Sequence, residues 1–477
     1  MTFFEGGAQP HGSKAPQPAR PGRLSTIGES LELHDMRVTM TVLRALKGLL
    51  VAAVVASAAV LPAHAQLKIE ITNGVTDPVP IAVVQFARAV PVDGGLDVAG
   101  VIQHDLAGSG RFRALSGPRL PTSTPTRADD VVATEWKNAG ADYVVVGRVT
   151  SIDAGQVAVD FDLVNSLTGQ RVVTQRFVGV PSALRNAAHR VSDVVYEKIL
   201  GIRGAFATRI AYVAVDGQPP AQNYQLIVAD ADGENQRLIL QSRFPLMSPS
   251  WSPDGQWLSY VSFETKRSAV YVQLVRTGER RQVSARAGVN GAPAWSPDGK
   301  KLALTLGGSN GNPDIYVLDL ATQNLSRITD DPAIDTEPAW TPDGHSLYFT
   351  SDRAGGPQIY RIGVNPGDRP KRITFGGNYN ARPRVSADGS QLAMVTLDNG
   401  NYRIAVQDLS SGTVRVLSRG HLDESPSFAP NGATLMYAER EGSRGALATV
   451  SVDGLTGLRL KAEQGEVREP AWGPFVQ

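Results

Sequence analysis

The 477-residue chain contains no cysteine. That excludes a disulfide framework, a thiolate zinc centre and a cysteine nucleophile. It also fits an oxidising compartment, where a spare thiol is a liability. An excess of one charge is missing too, since Lys+Arg 47 face Asp+Glu 46. A nucleic-acid binder or a polybasic membrane binder needs a large one-sign field, so both classes are disfavoured. Glycine and proline make up 17% of the chain, below the ~25–30% of low-complexity sequences but suited to a turn-rich β protein. With 42% hydrophobic and 19% charged residues, the length suffices for two or three ordinary globular domains.

Long apolar runs are also scarce. The one at residues 49–61 has 13 residues, interrupted only by Ser57. A transmembrane helix needs about 20. A basic stretch with Arg37, Arg44 and Lys47 precedes the run, and Ala63-His64-Ala65 follows it. Basic region, apolar region and small-x-small site are the three parts of a secretory signal peptide. We therefore read residues 36–65 as a signal peptide cut between Ala65 and Gln66. Residues 1–35, polar and rich in Pro and Gly, read as a disordered, over-extended N-terminus, with translation starting at Met36 or Met40. The remaining 412 residues carry a net charge of −1 and no run of transmembrane length, so an exported soluble protein is expected.

The C-terminal part repeats itself, which fixes the fold class before anything else. Trp251-Ser252-Pro253-Asp254-Gly255 recurs as Trp295-Ser296-Pro297-Asp298-Gly299 and as Trp340-Thr341-Pro342-Asp343-Gly344. Degraded copies start at Val385 and Phe428, and a truncated one is Trp472-Gly473-Pro474. The steps between copies are 44, 45, 45, 43 and 44 residues. Proline pre-sets φ, Asp or Asn bonds its own turn, and Gly supplies positive φ, so each copy predicts a tight turn between antiparallel strands. Apolar alternation follows each turn, as in Leu258-Ser259-Tyr260 and Leu347-Tyr348-Phe349. Four strands per repeat of this length predict β-propeller blades. Ile210-Ala211-Tyr212 reads as a second strand lacking a first, and Pro470-Ala471-Trp472 supplies it from the far end. Residues 204–477 are thus expected to form a six-bladed propeller closed by the C-terminal strand, which removes exposed sheet edges.

Residues 66–203 lack the repeat. Strands are expected at residues 68–72, 80–86, 141–149, 157–163 and 172–178, the last two flanking a turn at Leu167-Thr168-Gly169. Helices are expected at residues 96–106 and 184–199, the latter ending at Gly201. Residues 115–130 read as a surface loop. The mixture predicts one α/β (α+β) domain.

Chemistry-bearing constellations are absent from the sequence. His104, His189, His345 and His421 have no metal-type partner at i+3 or i+4, so each reads as a surface or packing histidine, and no metal is assigned. Gly307-Gly308-Ser309-Asn310-Gly311 matches G-x-S-x-G, but that elbow needs a strand-to-helix turn, whereas here propeller strands flank it on both sides. No catalytic or cofactor-binding residue is assigned. The repeated turn aspartates read as structural. A propeller enzyme (a lyase or peptidase) and a cation-binding propeller stay open as alternatives.

Beyond the turns, several stretches are more specific. They include residues 201–206 before Thr208-Arg209-Ile210-Ala211-Tyr212, Pro245-Leu246-Met247-Ser248-Pro249, Ser268-Ala269-Val270, Asn290-Gly291-Ala292-Pro293-Ala294 and Leu422-Asp423-Glu424-Ser425-Pro426. With these, the whole exported chain resembles the TolB family of the Tol–Pal cell-envelope system. The long N-terminal extension departs from that family, as do Val385 and Ala387 in the fourth copy of the turn. The resemblance implies a non-enzymatic periplasmic adaptor without cofactors, serving outer-membrane integrity and constriction at division. Its implied partners are the peptidoglycan-associated lipoprotein Pal, TolA, and other outer-membrane lipoproteins. Pal would bind the propeller near its channel mouth, where the segments leading into the turn-bearing strands lie: Met247-Ser248, Asn290-Gly291, Thr336-Glu337, Ala381-Arg382, Asp423-Glu424 and Arg468-Glu469. TolA would engage the mature N-terminus, Gln66, Leu67, Lys68, Ile69, Glu70 and Ile71. Free, that segment can add to a partner's sheet edge. Docked, it is expected to cover its own domain, and Pal binding is expected to bias it towards docking.

Overall fold

The computed structural model describes residues 67–475, apart from 89–95, 119, 154, 308–310, 442–443 and 463–464. The signal peptide, its cleavage point at Ala65 and Gln66, and the centre of the Gly307–Gly311 motif lie outside the described residues.

Each Pro-Asp-Gly turn closes a hairpin, as its chemistry requires. In the first full copy, Gly255 N–H donates to Ser252 O and Ser252 N–H to Trp257 O. Asp254 Oδ1 accepts Ser252 Oγ–H at 2.5 Å and Gln256 N–H at 2.9 Å. Gly255 takes φ +66°, which a Cβ would strain. The third and fourth copies repeat the aspartate contacts at Asp343 and Asp388. The turn aspartates are therefore structural, as the sequence indicates.

The strands of residues 209–472 fall into meanders of four. Four separate sheets hold four strands each, among them Leu246–Trp251 with Trp257–Ser262, Ala269–Leu274 and Arg280–Ser284. Two further meanders, within residues 380–416 and 422–462, are joined by a single bridge between Tyr402 and Leu422. The C-terminal strand Glu466–Trp472 pairs antiparallel with Arg209–Asp216, so one blade is stitched from both ends of the propeller. The middle strands of the blades are buried on both faces, with alternate residues packing to opposite sides: Ala211 and Val213 in one cluster, Ile210 and Tyr212 in another.

The N-terminal domain is a mixed sheet. Phe112–Ala114, Val79–Val83 and Tyr143–Ser151 run parallel, and Val157–Asn165 and Arg171–Gly179 continue antiparallel. Helices Val98–Gly108 and Leu184–Leu200 share a core with this sheet through Ile81, Ile102, Leu106, Phe161 and Val191. The longer helix ends at Gly201 in the left-handed region, as the sequence indicates.

One expectation fails. The N-terminal strand, Leu67–Asn73, does not cover its own domain. It pairs antiparallel with Gly457–Ala462, the outer strand of the last blade, and extends that sheet. Leu67 is buried among Ile210, Tyr212, Leu460 and Val467. An outer blade strand has unpaired N–H and C=O groups, and an alternating segment satisfies them best.

The N-terminal domain contacts the propeller on the face that carries the turns. Arg111 pairs with Asp453, Arg185 with Asp230 and Asp232, and Asn431 Nδ2–H donates to Arg203 O at 2.9 Å. At this junction His189 Nδ1 lies 2.8 Å from Asp105 Oδ2. Burial opposes a charge on His189, but the bond to Asp105 and the nearby carboxylates of Asp230 and Asp232 push its pKa up to about 10.

Candidate functional site

The inner strands of a propeller line its channel, and their first residues meet at its mouth. All six inner strands carry a bulge at the same place. Pairing slips between Met247 and Ser250, Gly291 and Ala294, Thr336 and Ala339, Ala381 and Arg384, Glu424 and Ser427, and Arg468 and Ala471. At each slip one non-glycine residue has positive φ: Ser248, Ala292, Glu337, Arg382, Ser425 and Glu469, between 44° and 56°. The bulge turns one N–H out of the ladder to bond a neighbouring blade. Glu337 N–H donates to Thr305 Oγ1 at 3.2 Å. Arg382 N–H donates to Glu337 Oε2 at 3.0 Å, and Ser248 N–H to Glu469 Oε2 at 3.3 Å.

The side chains of this ring form one charge cluster. Arg382 Nε lies 3.0 Å from Glu337 Oε1, and its Nη1 lies 3.8 Å from Glu469 and 4.0 Å from Glu424. The same guanidinium donates to Ser425 Oγ. Thr350 Oγ1–H donates to Glu337 Oε2 at 2.9 Å. Burial opposes the Arg382 charge, but the carboxylates of Glu469, Glu337 and Glu424 outweigh it and hold the guanidinium above its ordinary range. One cation thus ties four inner strands together, and three carboxylates surround it.

The residues named from the sequence separate into two groups. Glu337, Arg382, Glu424, Glu469 and Ser248 converge on the channel. Met247 is exposed at the mouth, Thr336 Oγ1 lies 3.3 Å from Thr305 Oγ1, and Arg468 stacks over Tyr224. Gly291 precedes the bulge residue Ala292. Ala381, Asn290 and Asp423 are instead buried. Asn290 accepts from Ser284 Oγ–H and Arg286 N–H, and Asp423 accepts Gly420 N–H at 3.0 Å. Both hold the loop before their strand rather than a surface. In those two blades the bulge residue is Ala292 or Ser425, one position beyond the pair named from sequence.

Apolar residues that sequence reasoning missed stand on the same face in four of the blades. Phe244, Val289, Ile334 and Phe375 are exposed, Phe375 by 75%. Each lies in the loop between an outer strand and the next inner strand, on the face that bears the channel mouth. Isolated apolar residues in turn-rich segments gave no periodic signal. Their common position within the repeat was the signal available.

The N-terminal segment is also placed. Leu67 is buried, whereas Glu70 and Ile71 are exposed on the docked strand. Lys68 and Ile69 hold backbone pairings to Lys461 and Leu460.

Fold and site together define a two-domain propeller protein, with a small α/β domain on the turn face and a polar mouth on the other. Comparison with known proteins gives the particular family. The chain matches the TolB beta propeller domain over residues 196–476 and the TolB amino-terminal domain over residues 67–172. The Tol-Pal system protein TolB of Xanthomonas oryzae pv. oryzae is 45% identical over 416 residues, covering 86% of this chain and 93% of that one. That of Xylella fastidiosa is 43% identical over 415 residues, with the same coverage. The crystal structure of TolB from Acinetobacter baumannii superposes with a TM-score of 0.79 at 43% identity, covering 86% of this chain and all of that one. The chain belongs to the TolB family.

Proposed function

We propose that the protein is a non-enzymatic periplasmic adaptor of the Tol–Pal system. It is exported by a signal peptide cut after Ala65, binds Pal at the propeller mouth, and presents its N-terminal strand to TolA. Through these partners, and other outer-membrane lipoproteins, it serves outer-membrane integrity and constriction at division. The observation that carries this reading is the asymmetry of the two propeller faces. The N-terminal domain occupies the turn face, while the opposite face offers a charged ring bordered by exposed Phe244, Met247, Val289, Ile334 and Phe375. Apolar anchors beside satisfied polar groups are the anatomy of a protein interface.

The reading of the N-terminus follows from its edge pairing. A strand held by one neighbouring strand, with Leu67 buried beside it, can exchange that edge for a partner's. Pal at the mouth would favour the docked state, leaving TolA the undocked one.

Calorimetric titration of soluble Pal into residues 66–477 tests the adaptor role. Wild-type binding that weakens at least tenfold in Phe375→Ala or Met247→Ala supports it. Folded protein that fails to bind Pal would remove it. Binding indifferent to both changes would remove the mouth as the site.

A further inference from the structure

The junction between helix Leu184–Leu200 and the propeller turn after residue 230 has an arrangement that the adaptor role does not use. His189 is 1% exposed, and Asp105 is 4% exposed. The His189 Nδ1 edge faces Asp105 Oδ2 at 2.8 Å. Its Nε2 edge is buried, makes no hydrogen bond, and points between Asp230 Oδ2 and Asp232 Oδ2, each at 3.8 Å. Asp105 Oδ1 is likewise buried without a hydrogen bond. A cavity of about 100 Å³ reaches the edge of the cluster, lined by His104, Asp105 and Asp232 among others.

We propose that His189 Nε2, Asp230 Oδ2 and Asp232 Oδ2 form a binding site for a divalent cation of the zinc class. Asp105 acts as the positioning residue that orients the imidazole. Three features support the site. The ligand types, one imidazole and two carboxylates, suit zinc, with remaining positions left for water. A carboxylate on the far ring nitrogen is the usual support of a metal-bound histidine. The charges also match, because Asp105, Asp230 and Asp232 against Arg185 leave −2 around a neutral imidazole. Zinc-to-ligand bonds of about 2.0–2.2 Å place neighbouring ligand atoms roughly 3.3–3.6 Å apart, so the observed 3.8 Å needs a contraction of a few tenths of an ångström. Arg185 pairs with the same two carboxylate oxygens, its Nε 3.2 Å from Asp230 Oδ2 and its Nη2 on Asp232 Oδ2. The bound cation takes the place of the imidazole proton and ties the N-terminal domain to the first blade.

The test is zinc calorimetry on chelator-treated residues 66–477, with thermal unfolding alongside. The expected result is one zinc per chain and a raised Tm, both lost in His189→Gln and kept in His104→Gln. Asp105→Asn should weaken zinc binding about 10–100-fold without abolishing it. X-ray absorption of the zinc-loaded wild type needs no variant to fold, and should show one histidine nitrogen with oxygen ligands. Absence of zinc binding to the folded wild type would overturn the proposal. So would a one-to-one site that survives His189→Gln, or an absorption spectrum without histidine.

Discussion

Asp423 sits where Asn290 and Asn380 stand in two other blades, and Asp335 in a third. Asp335 meets Arg353 at 2.8 Å, which balances its charge. Asp423 has no such ion pair among the described residues, and its Oδ1 is buried without a hydrogen bond. Burial pushes its pKa up to about 6. The folded protein therefore holds a proton that the unfolded chain releases, and stability falls as pH rises from about 4 to about 6. Carrying the carboxyl from its ordinary value to about 6 corresponds to roughly 3 kcal/mol. Asp423→Asn should be more stable than wild type by about 1–3 kcal/mol at pH 8, with the advantage gone at pH 4. Urea unfolding at the two pH values checks this, and a constant difference would refute it. At the mouth, Arg382→Ala leaves Glu337, Glu424 and Glu469 facing one another without their cation. We expect a loss of about 1–3 kcal/mol, since hydrogen bonds to charged groups contribute on that scale and the cluster is partly solvated. Unchanged urea midpoints would contradict the account of that cluster.

Among the elements, the N-terminal strand is the one whose placement the sequence could not supply. Its alternation announced a strand, but its partner edge lies at Gly457–Ala462, almost 400 residues away. Leu67 fills the seam between the last blade and the first, beside Leu460 and Gly233. Leu67→Ala should cost the docked strand about 2–4 kcal/mol. Amide exchange should then quicken at residues 67–73 and 457–462 and stay unchanged in the inner strands. Exchange that quickens everywhere, or nowhere, would contradict edge docking. The inner-strand bulges explain a second gap in the sequence reading. Counting back three from the opening residue of each turn locates the bulge in all six blades, but the pairs Asn290-Gly291 and Asp423-Glu424 stand one position before Ala292 and Ser425. The His189 cluster is illegible for a related reason. Spacing along a helix tests i+3 and i+4, while Asp105 and Asp232 reach His189 from other parts of the chain.

At the scale of the molecule, most of the propeller was legible because its signals are local. The turn, the alternation behind it and the half-motif at Trp472 each sit within a few residues, and repetition multiplies them. The closure they imply is present. Trp472 N–H donates to Ser427 Oγ and its indole N–H to Thr208 Oγ1, both at 2.8 Å. Ending the chain before Glu466 would leave the first blade without its inner strand and uncover Ile210 and Tyr212. Such a chain should lose cooperative unfolding and precipitate, and a sharp calorimetric transition from it would contradict the role of closure. The central claim is that the free face of this propeller is the docking face. Hydrogen exchange of residues 66–477, with and without Pal, tests it across the whole surface at once. The account predicts slowed exchange in the loops around residues 242–248, 286–292, 330–337 and 375–382, with the turns at 252–256 and 296–300 unaffected. Protection confined to those turns, or to the N-terminal domain, would contradict it.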